Sequence, residues 1–200
     1  MAVLDMVESI RSAWENGESW LGIFIDFKKA FDTVDHCILL AKMERMGIRG
    51  APLELMRSYL SNRSQYVVFD GAESSHESIS LGVPQGSILG PLFFLLYIND
   101  LARASSFFRS ILFADDTNLF ASGGNLRELY AKVKGELEKL SDWFAHNRLT
   151  LNYSKTEFID FSKPAPVSSA GRNTLKMDGI PIRKVNESKF LGVIIDKDIS

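Results

Sequence analysis

Residues 109–121 read Arg-Ser-Ile-Leu-Phe-Ala-Asp-Asp-Thr-Asn-Leu-Phe-Ala, two apolar runs on either side of a pair of carboxylates. This pattern predicts two strands that meet in a hairpin with Asp115 and Asp116 at its tip. A second apolar run, Trp20–Asp26, predicts a buried strand that also ends in a carboxylate. If the two strand ends are neighbours, three carboxylates converge at one edge of a sheet.

The composition limits the class of protein. Two hundred residues, 46% of them hydrophobic, are enough to bury one sizeable core. The formal charge of −2 argues mildly against a free-standing nucleic-acid binder, because phosphate contacts normally require a basic surface. Cys37 is the single cysteine, which excludes an internal disulfide and favours a core position. The most apolar run, Ile88–Ile98, is too short to cross a bilayer, and the N-terminus lacks the basic region of a secretory signal. We therefore expect an intracellular protein that is neither secreted nor membrane-bound.

Hydrophobic periodicity predicts a mixture of helices and hairpins. Helices are predicted at Val3–Trp14, Val34–Met46, Pro52–Leu60, Ser87–Leu101 and Leu126–Phe144, the last capped by Asn125. Further strands are predicted at Gln65–Asp70, Glu77–Leu81, Leu149–Asn152, Thr156–Phe161 and Lys189–Asp196, with a hairpin through Asp178-Gly179. The segment Lys163–Asn173 is the one plausible linker. Few regular βαβ units are present, so the pattern predicts an α+β fold with a largely antiparallel sheet.

A cluster of Asp26, Asp115 and Asp116 would have a specific chemistry. Like charges raise one another's pKa, so such a cluster is costly unless divalent cations occupy it. Carboxylate oxygens with no nearby His or Cys suit Mg²⁺. Two such ions about 4 Å apart would serve an in-line phosphoryl displacement. An isolated Asp-Asp pair, however, is more often simple turn chemistry, and spacing alone does not prove convergence.

Five segments in order resemble motifs of reverse transcriptases. Residues 23–36 resemble motif A, 82–92 motif B, 113–116 motif C, 149–156 motif D and 190–196 the primer-grip motif E. The sequences of Tyr59–Arg63 and Tyr97–Leu101 are similar to those of animal non-LTR retrotransposons, the LINE-type, jockey-like elements. The resemblance covers the chain from about residue 20 to about residue 196. It implies the palm of a right-hand polymerase, with helices packed on an antiparallel sheet.

The resemblance implies roles for the residues around motif A and motif C. Asp26 and Asp115 match the ligands of the two metal ions, and Asp116 matches a third, more dispensable carboxylate. The backbone carbonyl of Phe27 would also face a metal. Phe31 matches the aromatic gate beneath the sugar, whose ring excludes a 2′-hydroxyl and thereby selects deoxynucleotides. Without the motif, a core aromatic would be the better interpretation of Phe31.

The later motifs imply further contacts. Gln85 and Gly86 match positions that hold the incoming dNTP, where glycine allows the backbone to approach the ligand. Lys155 matches the motif D lysine that protonates the leaving pyrophosphate, a general-acid role worth roughly 10²- to 10⁴-fold. An ordinary turn around Gly86 and a solvated lysine at position 155 are the simpler interpretations. His36 has no counterpart with a proton-transfer role, and we reject a catalytic assignment for it.

The implied function is that of an RNA-directed DNA polymerase. Its cofactors would be two Mg²⁺ ions, with Mn²⁺ as a substitute, and its partners an RNA template, a DNA primer and dNTPs. We expect residues 1–200 to form one partial domain with incomplete fingers and no thumb, the rest belonging to a parent polyprotein that also carries an endonuclease. One alternative is an inactive remnant that acts as a nucleic-acid or protein interaction module. Another two-metal nucleotidyl transferase would not predict Phe31 together with Pro84-Gln85-Gly86.

Overall fold

The computed structural model describes residues 2–162 and 173–199. The chain divides into two compact units. The first unit comprises Met1–Lys28, Asp100–His146 and Thr150–Ser200, and the second comprises Lys29–Asn99 and Asn147–Leu149. The predicted linker lies outside the described residues, apart from its last residue, Asn173.

Helices and strands follow one another along both units. The helices are α1 (Ala2–Glu15), α2 (His36–Arg45), α3 (Ala51–Leu60), α4 (Leu89–Ile98), α5 (Leu101–Ala104) and α6 (Leu126–His146), with a short 3-10 helix at Ala30–Thr33. The strands are β1 (Ser19–Ile25), β2 (Arg63–Gln65), β3 (Val68–Phe69), β4 (Ala72–Glu73), β5 (Glu77–Ile79), β6 (Arg109–Phe113), β7 (Asp116–Gly123), β8 (Glu157–Asp160), β9 (Lys176–Met177), β10 (Ile180–Pro181), β11 (Arg183–Val185), β12 (Glu187–Phe190) and β13 (Val193–Asp196). No helix of the described residues has the length and apolar character needed to cross a bilayer.

The first unit is built on a five-stranded sheet with the order β11-β8-β1-β7-β6. β1 lies at its centre and is antiparallel to both β7 and β8, whereas β11 and β8 are parallel. The predicted α+β class with a largely antiparallel sheet is confirmed. After Ser19, β1 is apolar and buried because both faces of the sheet are covered.

The two faces of this sheet have different neighbours. Trp20 and Phe24 belong to a buried cluster with α1 and with Phe190 of the β12–β13 hairpin. On the other face, Phe158 of β8 contacts the ring of Tyr130 in α6. The Asn125 side chain caps α6 by accepting hydrogen bonds from the backbone N–H groups of residues 127 and 128 at 3.0 and 3.3 Å. The predicted helix and its cap are therefore confirmed.

The second unit consists mainly of helices α2, α3 and α4. The rings of Phe93, Phe94 and Tyr97, all on α4, are fully buried. Asp35 caps α2 by accepting from the backbone N–H of Ile38 at 3.0 Å and also forms an ion pair with Arg148 at 2.7 Å. The buried Asp35 carboxylate thus has hydrogen-bond and ion-pair partners, as low-dielectric surroundings require.

Several sequence-based boundaries were wrong. The predicted strand at Gln65–Asp70 is two short strands, because β3 and β4 form a separate hairpin inside the β2–β5 pair. The predicted strand at Leu149–Asn152 is reduced to one isolated bridge between Leu151 and Phe27. Cys37 is exposed rather than buried in the core.

The segment Lys189–Asp196 is a hairpin instead of one strand. β12 pairs with β13 in antiparallel register, with Phe190 opposite Val193. The two residues between them, Leu191 and Gly192, have φ angles of 48° and 87°. Positive φ angles at both positions reverse the chain direction within two residues. Leucine rarely adopts a positive φ, so the sequence gives no local signal for this turn.

Candidate active site

Two of the predicted catalytic carboxylates lie at the ends of adjacent strands. The register pairs Ile25, the last residue of β1, with Thr117, so Asp26 directly follows β1 at the edge where Asp116 begins β7. Asp26 follows the buried strand β1, as predicted. Asp116 begins β7, so the tip of the hairpin is Ala114-Asp115, one residue earlier than the predicted Asp115-Asp116. The sheet therefore brings these two carboxylates together at one edge.

Asp115 lies in the two-residue turn that joins β6 to β7. The partner in that turn, Ala114, has a φ angle of 51°, which is left-handed backbone. Burial raises the pKa of Asp116 above its usual value, and the negative charges of Asp115 and Asp26 raise it further, against a lowering by Lys189. Asp115 and Asp26 are thus close enough to Asp116 to raise its pKa.

Asp26 and Asp116 line a cleft of about 370 Å³ in the first unit. Lys155, the predicted proton donor, lines the same cleft. Lys189 also contributes to its wall and carries the positive charge that lowers the pKa of Asp116. The cleft therefore combines carboxylates with two lysine side chains. This charge pattern suits a phosphate-containing ligand that lies between metal ligands and basic groups.

Asp26 is held by two residues that sequence reasoning missed. The Asn152 side-chain amide donates to Asp26 Oδ2 at 2.8 Å, and the Asp26 backbone N–H donates to Thr156 Oγ1 at 3.3 Å. Thr156 is fully buried. Both residues belong to the motif D segment, but spacing gives no sign of contacts that span about 130 positions of the chain.

The ring and the backbone of Phe27 have separate surroundings. The ring is buried and contacts Phe144 edge-on, with ring centroids 5.2 Å apart. The backbone hydrogen bonds from Asn152 to Asp26 and from Lys28 to Thr150 lie on either side of Phe27. In an antiparallel ladder, the residue between two such bonds points its own N–H and C=O to the other side of the strand. The Phe27 carbonyl consequently points to the side of the strand on which β7 lies, while its ring belongs to the core.

Phe31, Gln85 and Gly86 all belong to the second unit, where the turn that resembles motif B is anchored to the second half of the motif A segment. The backbone N–H groups of Gly82 and Val83 donate to the carbonyls of Val34 and Phe31 at 2.7 and 2.8 Å. Gly82 has a φ of 83°, and a Cβ there would lie 2.8 Å from the Asp32 carbonyl oxygen. Glycine is required at position 82, a residue that sequence reasoning left without a role.

Gly86 differs from Gly82 in its surroundings. Its φ of 78° also favours glycine, but no heavy atom lies within 4 Å of a Cβ built there. The Gln85 amide donates to Asp32 Oδ1 at 2.8 Å, and both side chains are exposed. Gln85 thus presents an exposed polar side chain, and Gly86 presents backbone that no neighbouring atom covers.

Phe31 is half-buried, and its ring lies 5.0 Å from that of Phe94. His36 Nε2 lies 2.6 Å from the Gly82 carbonyl oxygen, so the imidazole N–H donates a hydrogen bond that stabilises the turn. This contact gives His36 a structural role.

The carboxylate cluster suits a hard divalent cation in its donor chemistry. It offers oxygen ligands, and a cation would offset the like charges that raise the pKa of Asp116. Within residues 2–162 and 173–199, no three His, Cys, Asp or Glu side chains form a group already arranged to hold a metal ion. The residues fit Mg²⁺ by the chemistry of their oxygen donors, and the hydrogen bond from Asn152 to Asp26 shows where one carboxylate is oriented by the protein.

Comparison with known proteins adds independent information. Residues 2–195 match the family model described as reverse transcriptase (RNA-dependent DNA polymerase). Two curated relatives are from Drosophila melanogaster: the probable RNA-directed DNA polymerase from transposon X-element, 29% identical over 98% of this chain, and the RNA-directed DNA polymerase from mobile element jockey, 28% identical over 94%. The chain spans about a fifth of the length of these relatives, 21% of each.

Solved structures show the same fold. Apo telomerase from Candida tropicalis, truncated from its C-terminal domain, aligns over 98% of this chain and 38% of its own with 17% identity and a TM-score of 0.64. Telomerase from Candida albicans in complex with a TWJ fragment of telomeric RNA aligns over 98% of this chain and 33% of its own, with 16% identity and a TM-score of 0.65. At these identities the likeness establishes the architecture alone.

Proposed function

Because this chain belongs to the reverse transcriptase (RNA-dependent DNA polymerase) family, we propose that it is the catalytic region of a non-LTR retrotransposon polymerase. Such a region adds dNTPs to the 3′-hydroxyl of a DNA primer paired with an RNA template. One observation carries the proposal: Asp26, which follows β1, and Asp116, which begins the adjacent strand β7, line one cleft, and Asp115 is near enough to raise the pKa of Asp116.

The carboxylates have distinct proposed roles. Asp26 and Asp115 would hold two divalent ions, Mg²⁺ with Mn²⁺ as a substitute, and Asp116 would add negative charge beside them. When bound, the ions supply activation of the attacking hydroxyl and neutralisation of the triphosphate. The backbone carbonyl of Phe27 points to the side of the strand on which β7 lies, which supports a role as an additional oxygen ligand.

Lys155 would act as the proton donor to the leaving pyrophosphate. Its position in the wall of the cleft that contains Asp26 and Asp116 supports this role. The proton would leave the ammonium group and reach the bridging oxygen as the bond between phosphorus and that oxygen breaks, so that pyrophosphate departs with less charge.

Phe31, Gln85 and Gly86 would bind the incoming dNTP. The Phe31 ring is supported by Phe94, which suits a rigid gate against a 2′-hydroxyl. Gln85 is oriented by Asp32 and can donate or accept hydrogen bonds. No atom crowds the Cα of Gly86, so the backbone there is open to a ligand.

The proposal is tested by dNTP incorporation on a primed RNA template in the presence of Mg²⁺. The wild-type chain is compared with the double variant Asp115→Asn, Asp116→Asn and with Asp142→Asn, a control on the exposed surface of α6. We expect incorporation by the wild type and the control and none by the double variant. Incorporation that survives the double substitution would contradict the assignment of these carboxylates. A wild-type chain that binds primed RNA template without extending it would instead support an interaction module.

A further inference from the structure

Asn152 is the centre of a hydrogen-bond network around Asp26. Its backbone N–H donates to the Asp26 carbonyl and its side-chain amide donates to Asp26 Oδ2, both at 2.8 Å. Its side-chain oxygen accepts from Ser154 Oγ at 2.7 Å. Its carbonyl accepts from the backbone N–H groups of Lys155 and Thr156 at 3.0 and 2.8 Å. One residue thereby joins the catalytic carboxylate to the turn that carries Lys155.

Asn152 makes more hydrogen bonds than an asparagine needs to begin a turn. An asparagine that begins a turn usually bonds its side-chain oxygen to a nearby backbone N–H. Here that oxygen accepts from the Ser154 hydroxyl, while the amide nitrogen contacts a carboxylate 126 residues away in sequence. An aspartate has no amide donor and would place a second negative charge beside Asp26. The contact therefore requires a neutral donor of this size and shape.

The chemistry of the donor suits a carboxylate that must bind a cation. A lysine or arginine at this position would neutralise Asp26 and compete with a metal ion for it. A neutral amide fixes the plane of the carboxylate and leaves its charge intact. With Oδ2 held by Asn152, the orientation of Oδ1 is also determined, because both oxygens belong to one rigid planar group.

We propose that Asn152 is a positioning residue that orients the Asp26 carboxylate for a divalent cation and sets the position of the Lys155 turn relative to it. This inference rests on the proposed function of the same site. Hydrogen-bond partners of metal ligands commonly change metal affinity by roughly 10- to 100-fold when they are removed. Asn152→Ala keeps the backbone hydrogen bonds and removes the side-chain contact.

The test measures Mn²⁺ binding to the full 200-residue chain by electron paramagnetic resonance, and dNTP incorporation beside it. Four proteins are compared: wild type, Asn152→Ala, Asp26→Asn and Asn125→Ala. Asn125→Ala is the matched control, because it removes the side chain of an asparagine that makes hydrogen bonds at the start of α6 and does not line the cleft. Thermal unfolding of each protein reports whether the fold is retained.

We expect Asn152→Ala to weaken Mn²⁺ binding by roughly tenfold or more. We also expect a lower kcat, a nearly unchanged KM for dNTP, and partial recovery of the rate at high Mg²⁺. Asn125→Ala should bind Mn²⁺ like the wild type. Wild-type Mn²⁺ affinity in Asn152→Ala overturns the inference alone, and so does an equal loss in Asn125→Ala. A wild-type chain whose Mn²⁺ binding is unaffected by Asp26→Asn overturns the proposed function and, with it, this inference.

Discussion

The side-chain amide of Gln85 donates a hydrogen bond to Asp32 Oδ1 at 2.8 Å. This contact orients the residue that we propose to hold the incoming nucleotide. Asp32→Ala should leave Gln85 without a fixed orientation and raise the KM for dNTP by roughly fivefold, the equivalent of about 1 kcal/mol for one hydrogen bond, with kcat nearly unchanged. Steady-state kinetics on a primed RNA template measure both constants. Asp142→Ala, on the surface of α6, is the control, and an unchanged KM in Asp32→Ala would show that the contact is not used.

Phe31→Ala should weaken the discrimination against ribonucleotides. Removing the ring removes the surface that would meet a 2′-hydroxyl, and we expect the ratio of kcat/KM values for dNTP and rNTP to fall by roughly tenfold or more. The matched control is Phe69→Ala, because Phe69 is 81% exposed on the β3–β4 hairpin. Thermal unfolding accompanies the kinetics, since the Phe31 ring also packs against Phe94. A ratio identical to that of the wild type would exclude Phe31 as the gate.

Three glycine-to-alanine substitutions should separate steric from conformational effects. Gly82→Ala should lower the free energy of unfolding by about 2–3 kcal/mol, because it adds a clash with the Asp32 backbone to an unfavourable φ. Gly86→Ala carries the φ penalty alone, so we expect about 1 kcal/mol. Gly135→Ala, inside α6 with open space around it, should raise stability by about 1 kcal/mol. Chemical denaturation measures all three, and an equal effect of Gly82→Ala and Gly86→Ala would contradict the clash.

Two fully buried threonines make a second matched comparison. Thr117 Oγ1 has no hydrogen-bond partner, whereas Thr156 Oγ1 accepts from the backbone N–H of Asp26. Thr117→Val should therefore be neutral or stabilise the fold by about 1 kcal/mol, and Thr156→Val should destabilise it by about 1–3 kcal/mol. Denaturant midpoints compare the two variants. Equal destabilisation by both would mean that the Thr117 hydroxyl has a partner in solution.

Asp160 should make the stability of the fold depend on acid pH. Burial would raise the pKa of Asp160, but its hydrogen bonds to Lys184 and Ser162 and the charge of Lys184 outweigh burial and lower it. A carboxyl with a lowered pKa stabilises the fold above its unfolded pKa, and this contribution is lost as the pH falls through the folded value. Lys184→Met should reduce stability at neutral pH and flatten its decline in acid. Unfolding measured from neutral to acid pH checks both, with exposed Lys132→Met on α6 as the control.

Local patterns predicted the elements whose signals lie within a few residues. The apolar stripe of α6 and its Asn125 cap are both local, and so is the β6–β7 hairpin with its carboxylate tip. The predicted convergence of Asp26 with Asp115 and Asp116 depended on whether their strands are neighbours, and the register of β1 with β7 shows that these two strands are paired.

The errors came from interactions that a local pattern does not contain. The turn at Leu191-Gly192 was missed because a leucine at φ 48° is stabilised by its tertiary surroundings and not by its own preference. Residues 149–152 make only part of a ladder, because Asn152 bonds to Asp26 and then begins a turn. Partners 53 to 130 residues away in sequence form the hydrogen bonds of Asn152, Thr156 and Asp32. No spacing rule indicates such contacts.

Ala114 has a left-handed backbone in the turn that carries Asp115, a conformation that costs alanine about 1 kcal/mol more than glycine. Selection for thermal stability alone would favour a glycine at position 114. A glycine would also give the turn many more accessible backbone states, and the two neighbouring carboxylates would lose their preorganisation. Under the proposed function, this turn would exchange some stability of the fold for a fixed arrangement of the two carboxylates.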